Sequence, residues 1–137
     1  MGVLSGIPRA AGAHELLDSP ASLPEVEANL RDLARLNRLF GGAWLIRAQV
    51  AGLLDAVRAG RPLTILDVGT GGADLPVALV RWARRSGRPI RVFALDSNAQ
   101  FLELACRLAT RYPEIVFIRG DGLSLPLKAE AVDVALA

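Results

Sequence analysis

From residue 63 onward the chain alternates between two periodicities, and that alternation leaves few folds open. The short apolar runs LTILDV, IRVFALD, IVFIRGD and AVDVALA are separated by stretches with helical spacing, notably DLPVALVRWARR and NAQFLELACRLATRY. Runs that are apolar throughout suit strands covered on both faces, which is what helical crossovers give a parallel sheet. We therefore expect an α/β fold with a parallel sheet and helices on both faces. A length of 137 residues suffices for one core, and a content of 52% hydrophobic and 22% charged residues belongs to a folded chain.

What precedes residue 63 divides in two. Residues 1–22 are rich in Gly, Ala, Ser and Pro and read as a flexible tail. Residues 23–60 read as a helical cap of two helices. In the first, Ser22 is placed to cap, Pro24 and Glu25 suit the opening turn, and Val26, Leu30 and Leu33 repeat at helical spacing until Gly41 and Gly42. The second carries Ile46, Val50, Leu53 and Val57 and stops at Gly60 and Pro62.

Charge argues against a nucleic-acid partner, since the formal net charge is +2 and only seven residues are aromatic. The basic stretch RWARRSGR, Arg81 to Arg88, falls where a helix would end at Gly87, so its guanidiniums are read as solvated and paired with the helix dipole. Cys106 is the sole cysteine and is expected in the core; His14 is the sole histidine, and no metal site is expected. The N-terminus lacks the long apolar run of a secretory signal or membrane span, so we expect a cytoplasmic protein with no membrane partner.

The turns between strands and helices carry the chemical signal. In open parallel sheets ligands bind beyond the carboxyl ends of the strands. There, Gly69, Gly71 and Gly72 in LDVGTGGAD remove side chains that would keep a ligand from the backbone. Asp96 ends the second apolar run, where it could accept the two hydroxyls of a ribose; Asp121 ends the third, where it could accept from the amine of a base. Taken singly, the glycines could form a tight connection that binds nothing, and each acid could be a turn former. A dinucleotide fingerprint would need glycine at position 74, where Asp74 stands, and no Gly-Lys-Ser/Thr of a phosphate loop is present. The acids favour a ligand that is uncharged or cationic near Asp67 and Asp74.

In these three motifs, taken in order, residues 63–137 resemble the class I S-adenosylmethionine-dependent methyltransferases. LDVGTGGAD is similar to the first motif of that family, with Ala73 in place of its third glycine; ALDSNAQFLELA and GDGLSLPLKAEAVDVALA resemble the second and third. The resemblance implies a Rossmann-like sheet of strand order 3-2-1-4, and S-adenosyl-L-methionine as cofactor. It implies cofactor-binding roles for Asp67, Gly69, Thr70, Gly71, Asp96, Ser97, Asp121 and Gly122, with ribose on Asp96 and adenine near Asp121 and Gly122. Residues 61–137 would form a partial cofactor-binding domain, the family's later strands being missing.

Methyl transfer from a sulfonium needs alignment and exclusion of water more than acid–base groups. No catalytic base stands out, and the catalytic residues stay unassigned. The expected activity is transfer of a methyl group to a small-molecule acceptor; a non-catalytic cofactor-binding or assembly module is the alternative. A fourth strand at Ala131 to Ala137 with no fifth beside it is expected to let chains self-associate.

Overall fold

The computed structural model describes residues 22–39, 46, 48, 50–52 and 61–137. The proposed tail up to residue 21, His14 within it, and most of the second leading helix lie outside the described residues. Helix α1 spans Leu23–Leu39 and opens on the glutamate half of a capping box: Glu25 accepts both the Ser22 N–H at 2.9 Å and the Ser22 hydroxyl at 2.7 Å. Val26 and Leu30 are its buried stripe. Residues 46, 48 and 50–52 are helical, and Ile46 and Val50 pack on the main core.

Strand β1 (Leu63–Val68) leads through the glycine turn into α2 (Asp74–Arg85), then β2 (Ile90–Asp96), α3 (Ala99–Leu108), β3 (Ile115–Arg119) and β4 (Val134–Leu136). The four strands are parallel in the order β3-β2-β1-β4, as expected. Central strands carry the apolar runs: Leu63 and Ile65 of β1 and Val92 and Ala94 of β2 are fully buried in one cluster with Leu79, Val80 and Ala83 of α2, while Leu66 and Leu95 are buried outside it. Helix α2 tolerates Pro76 because it falls in the first turn, where its missing N–H has no intrahelical partner to lose. It ends as expected at Gly87, whose φ of +64° lets Arg88 N–H reach back to the Ala83 carbonyl at 3.0 Å.

Two expectations need correction. Cys106 is exposed, because the buried stripe of α3 is Phe101, Leu102, Ala105 and Ala109, and one residue's rotation past Ala105 carries Cys106 out of it. Leu108 is likewise 60% exposed. The fourth strand is shorter than Ala131–Ala137: its ladder covers Val134–Leu136. The preceding residues turn at Glu130, φ +61°, and Asp133, just before the strand, anchors it to β1 through its N–H to the Thr64 carbonyl at 2.9 Å and through its side chain.

That anchor sits at the amino edge of the sheet. Arg61 forms a two-pronged pair with Asp133, one contact at 2.8 Å, and Asp133 also accepts the Thr64 N–H at 2.9 Å and the Thr64 hydroxyl at 2.7 Å. At the same edge Arg84 pairs with Glu114 at 2.7 and 2.8 Å and lies over the Tyr112 ring, while Arg81 Nε donates to the Tyr112 hydroxyl at 2.6 Å. The arginines of the basic stretch are thus partly tied to the α3–β3 turn rather than simply solvated. Arg31 pairs with Glu27 one helical turn away, at 3.0 Å.

Candidate functional site

At the carboxyl edge the backbone stitches three strand tips together. Gly69 and Thr70 N–H groups both donate to the Leu95 carbonyl, at 2.8 and 3.0 Å, which pulls the glycine turn across the end of β2. Gly120 N–H donates to the Asp96 carbonyl at 3.0 Å and brings in the loop after β3. A Cβ on Gly122 would stand 2.7 Å from Val68 Cγ1, so only glycine lets this loop lie against the tip of β1.

Asp96 is the hub. It is buried at the end of β2, and its two oxygens accept from different partners: Oδ2 from the Gly71 N–H at 2.8 Å, Oδ1 from the Asn98 N–H at 2.9 Å. Asn98 in turn caps α3, its side chain accepting from Gln100 and Phe101 N–H. The sequence reading passed over Asn98, although an Asn immediately before a helical pattern is a cap signal. Asp67 is also buried, one residue from the end of β1, and its carboxyl is pushed up to about 6. Burial is the chief cause; the Thr70 hydroxyl opposes part of the rise, and Asp74 and Asp96 add to it by repulsion. The Thr70 hydroxyl is itself buried and reaches no partner in full hydrogen-bond geometry among the described residues.

The remaining expected residues fall at the same edge. Ser97 is exposed beside Asp96. Asp121 is exposed, and its Oδ1 accepts the Leu123 N–H at 2.9 Å, which fixes the carboxylate at the mouth of the third loop. Gly69 and Gly71 adopt φ of +74° and +54°, and a Cβ on Gly69 would meet nothing within 4 Å, so the turn offers open backbone there. Ala73, in place of the third glycine, also takes a left-handed conformation, φ +60°, at the cap of α2. Its cost is conformational, since a left-handed backbone is unfavourable for alanine.

This carboxyl edge gathers open glycine backbone, two buried carboxylates, an exposed third and a buried hydroxyl beside Asp67. Such a set suits a ligand with hydroxyls, amines or a cation, and repels phosphate. A separate cavity of about 370 Å³ lies between α1, α2 and α3, bounded by Leu30, Gly72, Val77 and Leu104; Asp96 and Asp121 do not line it. Among the described residues no cluster of His, Cys, Asp or Glu side chains is arranged to hold a metal ion. No helix among them is long and apolar enough to cross a membrane.

Residues 65–137, which hold every strand and turn of this site, match the methyltransferase domain family. The chain belongs to that family. The methyltransferase domain is 41% identical over 63 residues to a 2-phytyl-1,4-naphtoquinone methyltransferase of Thermosynechococcus vestitus, a match covering 46% of this chain and 27% of that protein. Its fold resembles that of the DszA carbon methyltransferase, with a TM-score of 0.59 and 23% identity over 75% of this chain and 30% of the other. It also resembles an S-adenosylmethionine-dependent methyltransferase from Aquifex aeolicus, with a TM-score of 0.55 and 20% identity, covering 79% of this chain and 54% of the other. In each case the methyltransferase domain described here spans well under two thirds of the relative.

Proposed function

We propose that the chain binds S-adenosyl-L-methionine across the tips of β1, β2 and β3, and that the protein transfers a methyl group to a small organic acceptor. The observation that carries this reading is Asp96. Each of its oxygens holds one backbone N–H, and each keeps a further acceptor site, so the buried carboxylate is pre-oriented for the two hydroxyls of a ribose. In this reading Asp121 and the backbone at Gly122 receive the adenine. Gly69, Thr70 and Gly71 face the amino-acid end, and Asp67 offers negative charge to its ammonium. Ser97 lies beside the ribose.

The bound cofactor supplies an electrophilic methyl group whose leaving group is a neutral thioether. The protein's part is to hold it in line with the acceptor and to keep water out, which fits a site built of backbone and carboxylates rather than acid–base pairs. The reading includes a cytoplasmic setting and an acceptor other than nucleic acid, both resting on composition. It also includes pairing of a second copy along the outer edge of β4, which light scattering over a dilution series tests; a concentration-independent monomer mass would end that part.

Titration calorimetry with S-adenosylmethionine and S-adenosylhomocysteine tests the cofactor. Binding of neither overturns the proposal. Binding without transfer to any acceptor turns it toward a cofactor-binding module. A reduced 1,4-naphthoquinone is the first acceptor to try, on the strength of the curated relative and because the electron-rich hydroquinone ring is the nucleophilic form.

A further inference from the structure

We infer that Leu30, in α1, is a positioning residue for the cofactor site, acting through the glycine turn; the inference rests on the cofactor reading above. Leu30 is buried, and its side chain lies against the turn: a Cβ on Gly71 would be 3.4 Å from Leu30 Cδ2, and one on Gly72 would be 3.6 Å from Leu30 Cβ. Gly71 is the residue whose N–H holds Asp96 Oδ2, so the Leu30 methyl groups back the donor that aims the carboxylate.

The same face of α1 reaches the other anchor of Asp96. Val26 and Leu30 form a buried cluster with Phe101, in the first turn of α3. Phe101 N–H is capped by Asn98, whose own N–H holds Asp96 Oδ1. Both backbone donors on the hub carboxylate are therefore supported from one helix, directly on the glycine side and through the cap of α3 on the other.

Support matters because the turn is soft. Gly69, Gly71 and Ala73 all take left-handed conformations within five residues, and glycine has many alternatives to the one observed. A ligand that needs one conformation sees its affinity reduced by the fraction of molecules that hold it. Leu30 and Gly72 also line an open pocket between α1, α2 and α3, so a shorter side chain at position 30 would widen that pocket and give the turn room to move.

The test combines calorimetry with S-adenosylhomocysteine and amide exchange at Gly71 in the full chain, for wild type, Leu30→Ala, Leu30→Met and Val26→Ala. Leu30→Val replaces Leu30→Ala should the latter not fold. Leu30→Ala should weaken binding about tenfold and speed Gly71 exchange, as a smaller competent fraction requires, while Leu30→Met stays within about twofold of wild type. Val26→Ala should lower the melting temperature comparably yet weaken binding less. Loss of affinity in proportion to lost stability across all variants would overturn the inference, as would unchanged Gly71 exchange in Leu30→Ala. Failure of wild type to bind would instead refute the cofactor reading, with Gly71 exchange still deciding the role of Leu30.

Discussion

The two edges of this sheet use carboxylates in opposite ways. At the amino edge Asp133 and Glu114 meet Arg61 and Arg84, and the guanidinium hydrogen bonds hold both acids below the usual carboxylate range. At the carboxyl edge Asp67 is buried with acids as its charged neighbours, and its affinity for protons rises. Paired acids lock β4 and β3 into the sheet. Buried Asp67, with Asp74 and Asp96 as its acidic neighbours, instead costs the fold stability when it is charged.

Asp67 should show the largest consequence of that cost. A folded value of about 6 against an ordinary 3.8 means that the group favours folding below about pH 4 and that this contribution is lost as pH rises through 6. Asp67→Asn should therefore stabilise the fold at pH 7.5 by on the order of 3 kcal/mol, the equivalent of that shift, and change it little at pH 4. Urea unfolding at the two pH values reads this; equal effects at both would mean that Asp67 is not strained by burial. The same substitution should weaken cofactor binding, and wild-type binding should itself weaken as pH falls below 6.

Asp96 comes next. Asp96→Ala should weaken S-adenosylhomocysteine binding by about 1.5 to 3 kcal/mol, the size of lost charge-assisted hydrogen bonds. Because the Gly71 and Asn98 N–H groups lose their acceptor as well, exchange at both amides should quicken in the absence of ligand. Unchanged affinity in a folded variant would remove Asp96 from the site and make the two edges alike.

The amino edge supplies the opposite pH slope. Asp133 is lowered, so its contribution is present above about pH 4 and lost as pH falls. Asp133→Asn should cost about 1 to 2 kcal/mol at pH 7, discounted because the pair is partly solvated, and less in acid. A cost independent of pH would assign the role to packing alone.

How much of this was readable beforehand follows the same division. The parallel sheet and the carboxyl-edge positions were legible because continuous apolar runs and glycines between a strand and a helix leave local marks, while the strand order came from the family resemblance. The Arg61–Asp133 clamp was not, since its partners lie 72 residues apart and neither belongs to a pattern. Asn98 was overlooked although its cap position was visible. Cys106 was misplaced because helical spacing was read as a broad stripe, whereas the cover on α3 is narrow enough to leave Leu108 exposed too. The separate pull on Asp67 from burial, Asp74 and Asp96 needed coordinates, because repulsion among acids depends on distances that sequence spacing does not give.

The smallest effect concerns Ala73, where the carboxyl edge departs from its family's glycine. A left-handed alanine costs about 1 to 2 kcal/mol relative to its ordinary conformation. Replacing it with glycine removes that cost but forfeits a fully buried methyl group and frees the unfolded chain, together about the same size. Ala73→Gly should therefore shift stability by less than about 1 kcal/mol, toward stabilisation, because the native φ is one that alanine disfavours. Ala78→Gly, inside α2, provides the matched comparison and should destabilise by about 1 kcal/mol through helix propensity alone. The two positions lie five residues apart, one at the N-cap of α2 and one inside it, and denaturant midpoints would separate the variants. Equal losses at both positions would mean that residue 73 is not held left-handed, and that the glycine turn enters α2 by another route.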